Sequence, residues 1–478
     1  MVEVVGTAPT SAMVITKFVY RHSWKTNKSI ISLVEFLTTG NLQIIMLTTK
    51  KNNYKFFLIL LSIIFYLIGS YYKIFSVSGA SGDFEAFVFN NIQLFREDLI
   101  YAIKNYGLLG DANYPFFYIF HAYLNPFSQE AESYLFSTLI IGFLTYLIFS
   151  LSLRNLEIKL IDSLLLSSVI LYLPWFTGRA YWGTSANLGW FFLIISFYFF
   201  IKVKKNIQLN YNNKDLINIF FLCLFSAAAL YVRVSLIFFP IYLVFYFLLY
   251  DKLLKRKFYL LLFYSILSIP GFFLIFTWGG IYDHANSSVV KEYHSYKNIF
   301  KNFPVLLNFF FFYLWPIFLL EIKESGIVHV LKNSINSFIL IFSIFLILNF
   351  TGHLSYLSDY THGGGAILKF GYYINDSNNL IFLVTSSIGF SIINFFLKED
   401  YKKNLILLLP IFIIYGFPQA IYQDYLEPLI IFLFFLGLIK THLFYKLREN
   451  IFFISIFYII YFFSTNIVSV YFKNFLFL

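Results

Sequence analysis

The residues best suited to chemistry stand together in one polar stretch, residues 76–132, which holds Asp83, Glu85, Glu97, Asp98 and Asp111 directly after the first strong apolar run. A carboxylate at a water-accessible edge can act as a general base. Two isolated cations, Arg179 and Arg233, fall at the ends of later apolar runs. A guanidinium there can grip a phosphate through two parallel hydrogen bonds. Late in the chain, YQDYLEP brings Tyr425 and Glu427 into another short polar segment. Acid, base and anion-binding groups are therefore present, and the elements between them must bring them together.

Those elements are membrane spans. Of the 478 residues 59% are hydrophobic, 23% aromatic and 12% charged. That charged fraction is about half of what a soluble domain carries. Many apolar runs reach the roughly 20 residues that cross a bilayer. They are apolar all round, which excludes the alternating pattern of a β-barrel, and backbone in lipid must satisfy itself internally. The expected fold class is an all-α polytopic integral membrane protein with about 11 to 14 transmembrane helices. The expected spans are 56–75, 133–153, 160–176, 188–203, 216–231, 235–250, 258–278, 305–320, 337–350, 380–397, 405–421, 429–439 and 451–470.

Charge placement orients them. The net charge is +11, yet the cations sit in short loops between runs and form no nucleic-acid surface. Segments 50–55, 154–159, 202–214, 251–257, 321–332, 398–403 and 440–448 together hold 21 Lys and Arg, against 9 in the longer segments of the other side. Lys and Arg favour the cytoplasmic side, so residues 76–132, 177–187, 279–304 and 351–379 are expected outside. Residues 1–55 read as a cytoplasmic lead-in to a single membrane domain, 56–478, with Met46 as an alternative start. They lack the three-part pattern of a signal peptide. The wealth of Phe, Ile, Asn, Lys and Tyr points to an AT-rich bacterial source, hence the inner membrane. The lone Cys223 permits no intrachain disulfide and no CxxC motif.

Within 76–132, Phe87, Ile92, Phe95, Leu99 and Ile103 recur at helical spacing, with Glu97, Asp98 and Lys104 opposite. This predicts a helix lying in the interface. Tyr114-Pro115 then opens another helix, with His121 about a turn or two further on. Each candidate also has a structural reading. Asp83 can cap the interfacial helix. Glu85 can complement its dipole. Arg179 and Arg233 can snorkel to headgroups, and His121 can be a hydrogen-bonded packing residue. Asp283, His284, His294, His353, Asp359 and His362 are scattered without metal-ligand spacing, and Gly363–Gly365 lacks the Lys-Ser/Thr of a phosphate loop. No cofactor is called for and no metal site is assigned.

SGDFEAF after the first span, an interfacial helix, and NYPFFYIFHAYL resemble the layout of the C-type glycosyltransferase superfold (GT-C). Protein O-mannosyltransferases and lipid A aminoarabinose transferases belong to that superfold. LPWFTGRAYWGTSANLGWFFLIISFYFF and LYVRVSLIFFP look like the family's next spans, so the resemblance covers about residues 56–250. YQDYLEPLIIF is placed like a late outer loop. The family usually shows a clearer acidic pair, and a doubled Pro where this chain has Tyr114-Pro115-Phe116.

The resemblance implies a GT-C-like bundle and inverting transfer of a sugar from a polyprenyl-phosphate carrier to a glycan, lipid or protein acceptor outside the cytoplasm. Asp83 is then the first choice for the base and Glu85 the second. Arg179 and Arg233 would hold the departing phosphate. Tyr114, Tyr181 and Trp182 would stack on sugar or line the lipid groove, and Asp111, His121, Tyr425 and Glu427 complete the candidate binding set. A polysaccharide polymerase or ligase would carry its large loop late in the chain. A flippase or transporter would show broken or charged mid-membrane segments and internal repeats. The early acidic loop favours the transferase.

Overall fold

The computed structural model describes residues 53–72, 80–109, 111, 113–206, 213–280, 298–354, 367–368, 380–398, 400–419, 421–439 and 450–471. The lead-in before 53, most of 279–304 and most of 351–379, including Asp283, His284, His294, Asp359 and His362, lie outside them. Met1–Phe57 clusters as one unit, and Leu58–Leu478 as another.

The fold is all-α, as expected from apolar runs that must bond their own backbone. Among the described residues eight helices are long and apolar enough to cross a membrane, which makes this an integral membrane protein. They begin with Asn53–Tyr72 and Ala131–Asn155 and end with Leu380–Leu397. Two shorter apolar helices, Val234–Tyr250 and Ile451–Thr465, accompany them. Three expected spans take another form, and one of them, 405–421, holds the 16-residue helix Tyr401–Gly416, short of a full crossing. Residues 160–176 do not make one straight helix: the chain bends by 75° between Leu160–Tyr172 and Pro174–Tyr181. Pro174 has no N–H to continue the ladder, and Leu173 is extended at φ −80°, ψ 114°. Residues 429–439 hold only the nine-residue helix Glu427–Phe435, too short to cross alone. The broken pair counts as a ninth span when taken as one.

Helices Ala131–Asn155, Ser185–Asn206 and Asn213–Val232 pack in sequence, and Asn298–Ser325 packs against both Leu380–Leu397 and Tyr401–Gly416. Small and hydroxylated residues make the close approaches. In Ala131–Asn155 the buried Thr145 and Ser152 hydroxyls donate to the carbonyls four residues back, so they carry no unpaired polar group into the core. Gly142 is needed where it stands, because a Cβ there would strike Tyr66 Oη and sit 2.9 Å from Ala180 Cβ.

Polar contacts sort into two poles. At one, Asn113 Oδ1 accepts from Val234 N at 3.3 Å, Trp278 Nε1 donates to the Ile103 carbonyl at 3.0 Å, and Asn302 Nδ2 donates to the Gly416 carbonyl at 2.9 Å. At the other, Lys205 pairs with Glu157, Arg256 with Asp215, and Lys398 with the Asn333 side chain. Each contact joins segments that the charge asymmetry assigns to one and the same side.

Candidate functional site

The stretch that follows the first span folds into short pieces. Ala80–Asp83 is followed by a π-helical turn, Phe84–Val88, and then by helix Phe89–Glu97. The helix expected over 85–106 breaks at Asp98, whose Oδ1 accepts from Tyr101 N at 2.9 Å and so caps Leu99–Lys104. Its amphipathic reading holds, with Ile92 and Phe95 buried and Glu97, Asp98 and Lys104 exposed. A second π turn, Phe120–Leu124, carries His121. π turns are uncommon and often lie at functional sites.

Asp83 ends the first piece and makes no side-chain cap bond to the turn after it. Its Oδ2 instead accepts from Arg179 Nη1 at 2.9 Å, across 96 residues of chain. The Asp83 side chain is 41% exposed and that of Arg179 11%. The pair is thus open on the carboxylate side. The next residue joins an aromatic cluster: Phe84 stacks on Tyr134 at 6.0 Å and lies 5.9 Å from Trp182. Gly183 makes this packing possible. It adopts φ +58°, and a Cβ there would lie 2.6 Å from the Tyr134 ring, while Tyr134 Oη donates to its carbonyl. Glu85, the second base candidate, is exposed on the π turn.

Arg179 rides on helix Pro174–Tyr181, in its last turn, where a cation suits the helix dipole. The other end of that helix is held by Glu427. This fully buried carboxylate accepts from Phe176 N at 2.8 Å through Oε2, and from the hydroxyls of Tyr313 and Tyr461, each at 3.0 Å, through Oε1. Gln423 Nε2 donates to both tyrosine hydroxyls, at 2.6 and 2.9 Å. Glu427 therefore caps a helix 251 residues earlier in the chain. It acts on the site through the helix that carries Arg179, and its oxygens are occupied by protein donors. The neighbouring turn Gln423–Tyr425 packs on the same helix. There Tyr425 lies under the guanidinium of Arg233, 4.6 Å from ring centre to Cζ, a cation–π contact.

The remaining candidates organise the loop. Asp111 Oδ1 accepts from Asn113 N and Nδ2, both at 2.9 Å, and its Oδ2 accepts from Tyr118 Oη at 2.8 Å. The Tyr114 ring stacks on Trp278, whose far neighbour is Tyr106, so the indole is sandwiched between two phenols. His121 is buried against Phe117, Phe120 and Tyr134, with Nδ1 3.0 Å from Asn125 Nδ2. Burial pushes its pKa down to about 3, so the ring is neutral and packs. Among the described residues no three of His, Cys, Asp and Glu converge as metal ligands.

Asp83, Arg179 and Trp182 therefore meet at one place, with Arg233, Tyr425 and Glu427 around the helix that holds Arg179. Asp111, Tyr114 and His121 belong to the loop's own packing. Sequence reasoning missed Phe84, Tyr134, Tyr313, Gln423 and Tyr461. Tyr313 and Tyr461 had a signal: a phenol within a Phe-rich run (FFFFYLW, YIIYFF) needs a partner in lipid. No family model, no curated protein and no solved structure matches the chain.

Proposed function

We propose that this chain is an inverting membrane glycosyltransferase of bacterial cell-surface synthesis. It moves a sugar from a polyprenyl-phosphate donor to a hydroxyl of a glycan, lipid or protein acceptor. The reaction takes place at the pole of Asp83 and Arg179, facing away from the cytoplasm. Asp83 takes the acceptor proton as the acceptor oxygen bonds to the anomeric carbon. The bond from that carbon to the phosphate oxygen breaks, and the phosphate leaves with the electron pair. Arg179 releases Asp83 to hold this phosphate, which frees the carboxylate oxygen to take the proton. Arg233 is the second phosphate ligand, and Trp182 and Phe84 receive the sugar or the first isoprene units.

One observation carries this reading: a partly exposed carboxylate, held at 2.9 Å by a mostly buried arginine and followed in the chain by a ring of the Phe84–Tyr134–Trp182 cluster, in a membrane domain. The sequence resemblance to GT-C enzymes supports it. A second reading, a transporter of lipid-linked saccharides, draws on the broken span at Leu173 and the buried carboxylate beside it. Against it, the positive end of the broken helix is already filled by Glu427.

The test is transfer of radiolabelled sugar from polyprenyl phosphate in membranes containing the protein, beside membranes lacking it. Label appearing on an acceptor only with the protein supports the transferase. Label that crosses the bilayer but stays on its carrier supports the transporter instead.

A further inference from the structure

At the pole opposite Asp83, three helix ends converge: the last turn of Ala131–Asn155, the last turns of Ser185–Asn206 and the first turn of Asn213–Val232. Asn155, Lys202, Lys205, Lys214, Ile217 and Asn218 line a cavity of about 380 Å³ between them. We propose that this cavity binds a phosphate-bearing anion, supplied by the headgroup of an anionic phospholipid. The inference stands apart from the transfer chemistry of the other pole.

The lining is rich in donors. Three lysines line the cavity together with Asn155 and Asn218. The carboxylates nearby leave the charge in excess. Glu157, itself exposed, pairs with Lys205 at 2.9 Å. Asp215, beside Lys214 in sequence, is turned to Arg256 at 2.7 Å. The ammonium of Lys202 rests over the Tyr198 ring, 4.3 Å from its centre, a contact that a phosphate can share.

The apolar rim selects the source. Ile217 is 55% exposed, Phe220, a turn further on, 39%, and Leu151, a turn before Asn155, 45%. Acyl chains can run along these side chains while the headgroup enters the cavity. Basic pockets between helix ends on the cytoplasmic side are typical headgroup sites.

The full-length protein is placed in nanodiscs of phosphatidylcholine with phosphatidylglycerol, and retained lipid is read by native mass spectrometry. Wild type should keep phosphatidylglycerol in preference to phosphatidylcholine. Lys202→Gln with Lys214→Gln should weaken that preference by about 25-fold, near five-fold per lysine. Glu157→Gln should strengthen it, because it removes the competing carboxylate. These opposed directions separate binding from folding, since a damaged fold cannot strengthen it. Inorganic phosphate bound through the same lysines, without phosphatidylglycerol preference, keeps the site but overturns the lipid source. Equal retention by wild type and the double variant, with no phosphate binding, overturns the proposal.

Discussion

The chain closes a carboxylate–guanidinium contact at each pole, and the two differ in what surrounds them. Arg256 is wholly buried, 2.7 Å from Asp215 and 3.7 Å from Asp251, both buried as well. Asp215 lies in the first turn of its helix, where the dipole favours an anion, and Asp251 Oδ1 accepts from Leu253 N at 2.8 Å. The three charged side chains join three helix ends. Asp83 meets Arg179 at a similar 2.9 Å, but with 41% of its side chain open. The same pairing is a fixed joint in one place and an exchangeable contact in the other. Burial, rather than distance, separates the two contacts.

The largest effect should come from breaking the buried joint. Arg256→Met leaves two carboxylates in the interior without their cation and should cost about 3–5 kcal/mol, read as a steep fall in thermal unfolding temperature in detergent. Arg179→Gln at the open pair should cost about 0–1 kcal/mol in the same assay. Equal losses at the two sites would break the contrast.

Glu427→Ala comes next. It strips the acceptor from Phe176 N at the helix start and from two phenols at once; the phenols stand 3.4 Å apart and can pair with each other, so the unpaired Phe176 N–H is left to cost about 1–3 kcal/mol.

 The donors concerned are Phe176 N and the hydroxyls of Tyr313 and Tyr461. The variant should lose stability and also transfer, since helix Pro174–Tyr181 carries Arg179. Glu427→Gln, which keeps one acceptor oxygen, should recover part of both, as judged by unfolding temperature and transfer rate side by side.

Acid should act on the loop through His121. Its folded pKa of about 3 lies below the usual 6.5, because burial disfavours the charged ring. The unfolded chain therefore takes up the proton first. This stabilisation is complete above about pH 6.5 and is lost as pH falls from there toward 3. At pH 5 the loss is about 2 kcal/mol. His121→Gln should flatten the stability profile between pH 6.5 and 4, and an unchanged slope would contradict the buried neutral ring.

Much of this was legible in the sequence because lipid imposes simple demands. Apolar length marked the helices, and the Lys and Arg distribution grouped their ends into the two sides that the polar contacts join. Asp83 and Arg179 both stood out as ionisable residues at span ends. Their meeting did not, because nothing local encodes a contact across 96 residues. Glu427 also stood out, but its partners lie on three distant elements, so its role as a helix cap needed coordinates. Residues 160–176 looked like one span since apolarity continues through Leu173, and only the backbone restriction at Leu173-Pro174 signals the bend. Arg256, Asp215 and Asp251 read as ordinary loop charges because burial of a charge leaves no mark on composition.

The most direct test of the open pair is Asp83→Asn, with transfer rate and unfolding temperature measured on one preparation. The account predicts a loss of transfer of about 10²–10⁴-fold, the usual contribution of a positioned base, and a stability change of about 1 kcal/mol or less. Transfer within two-fold of wild type in a folded Asp83→Asn protein would contradict it.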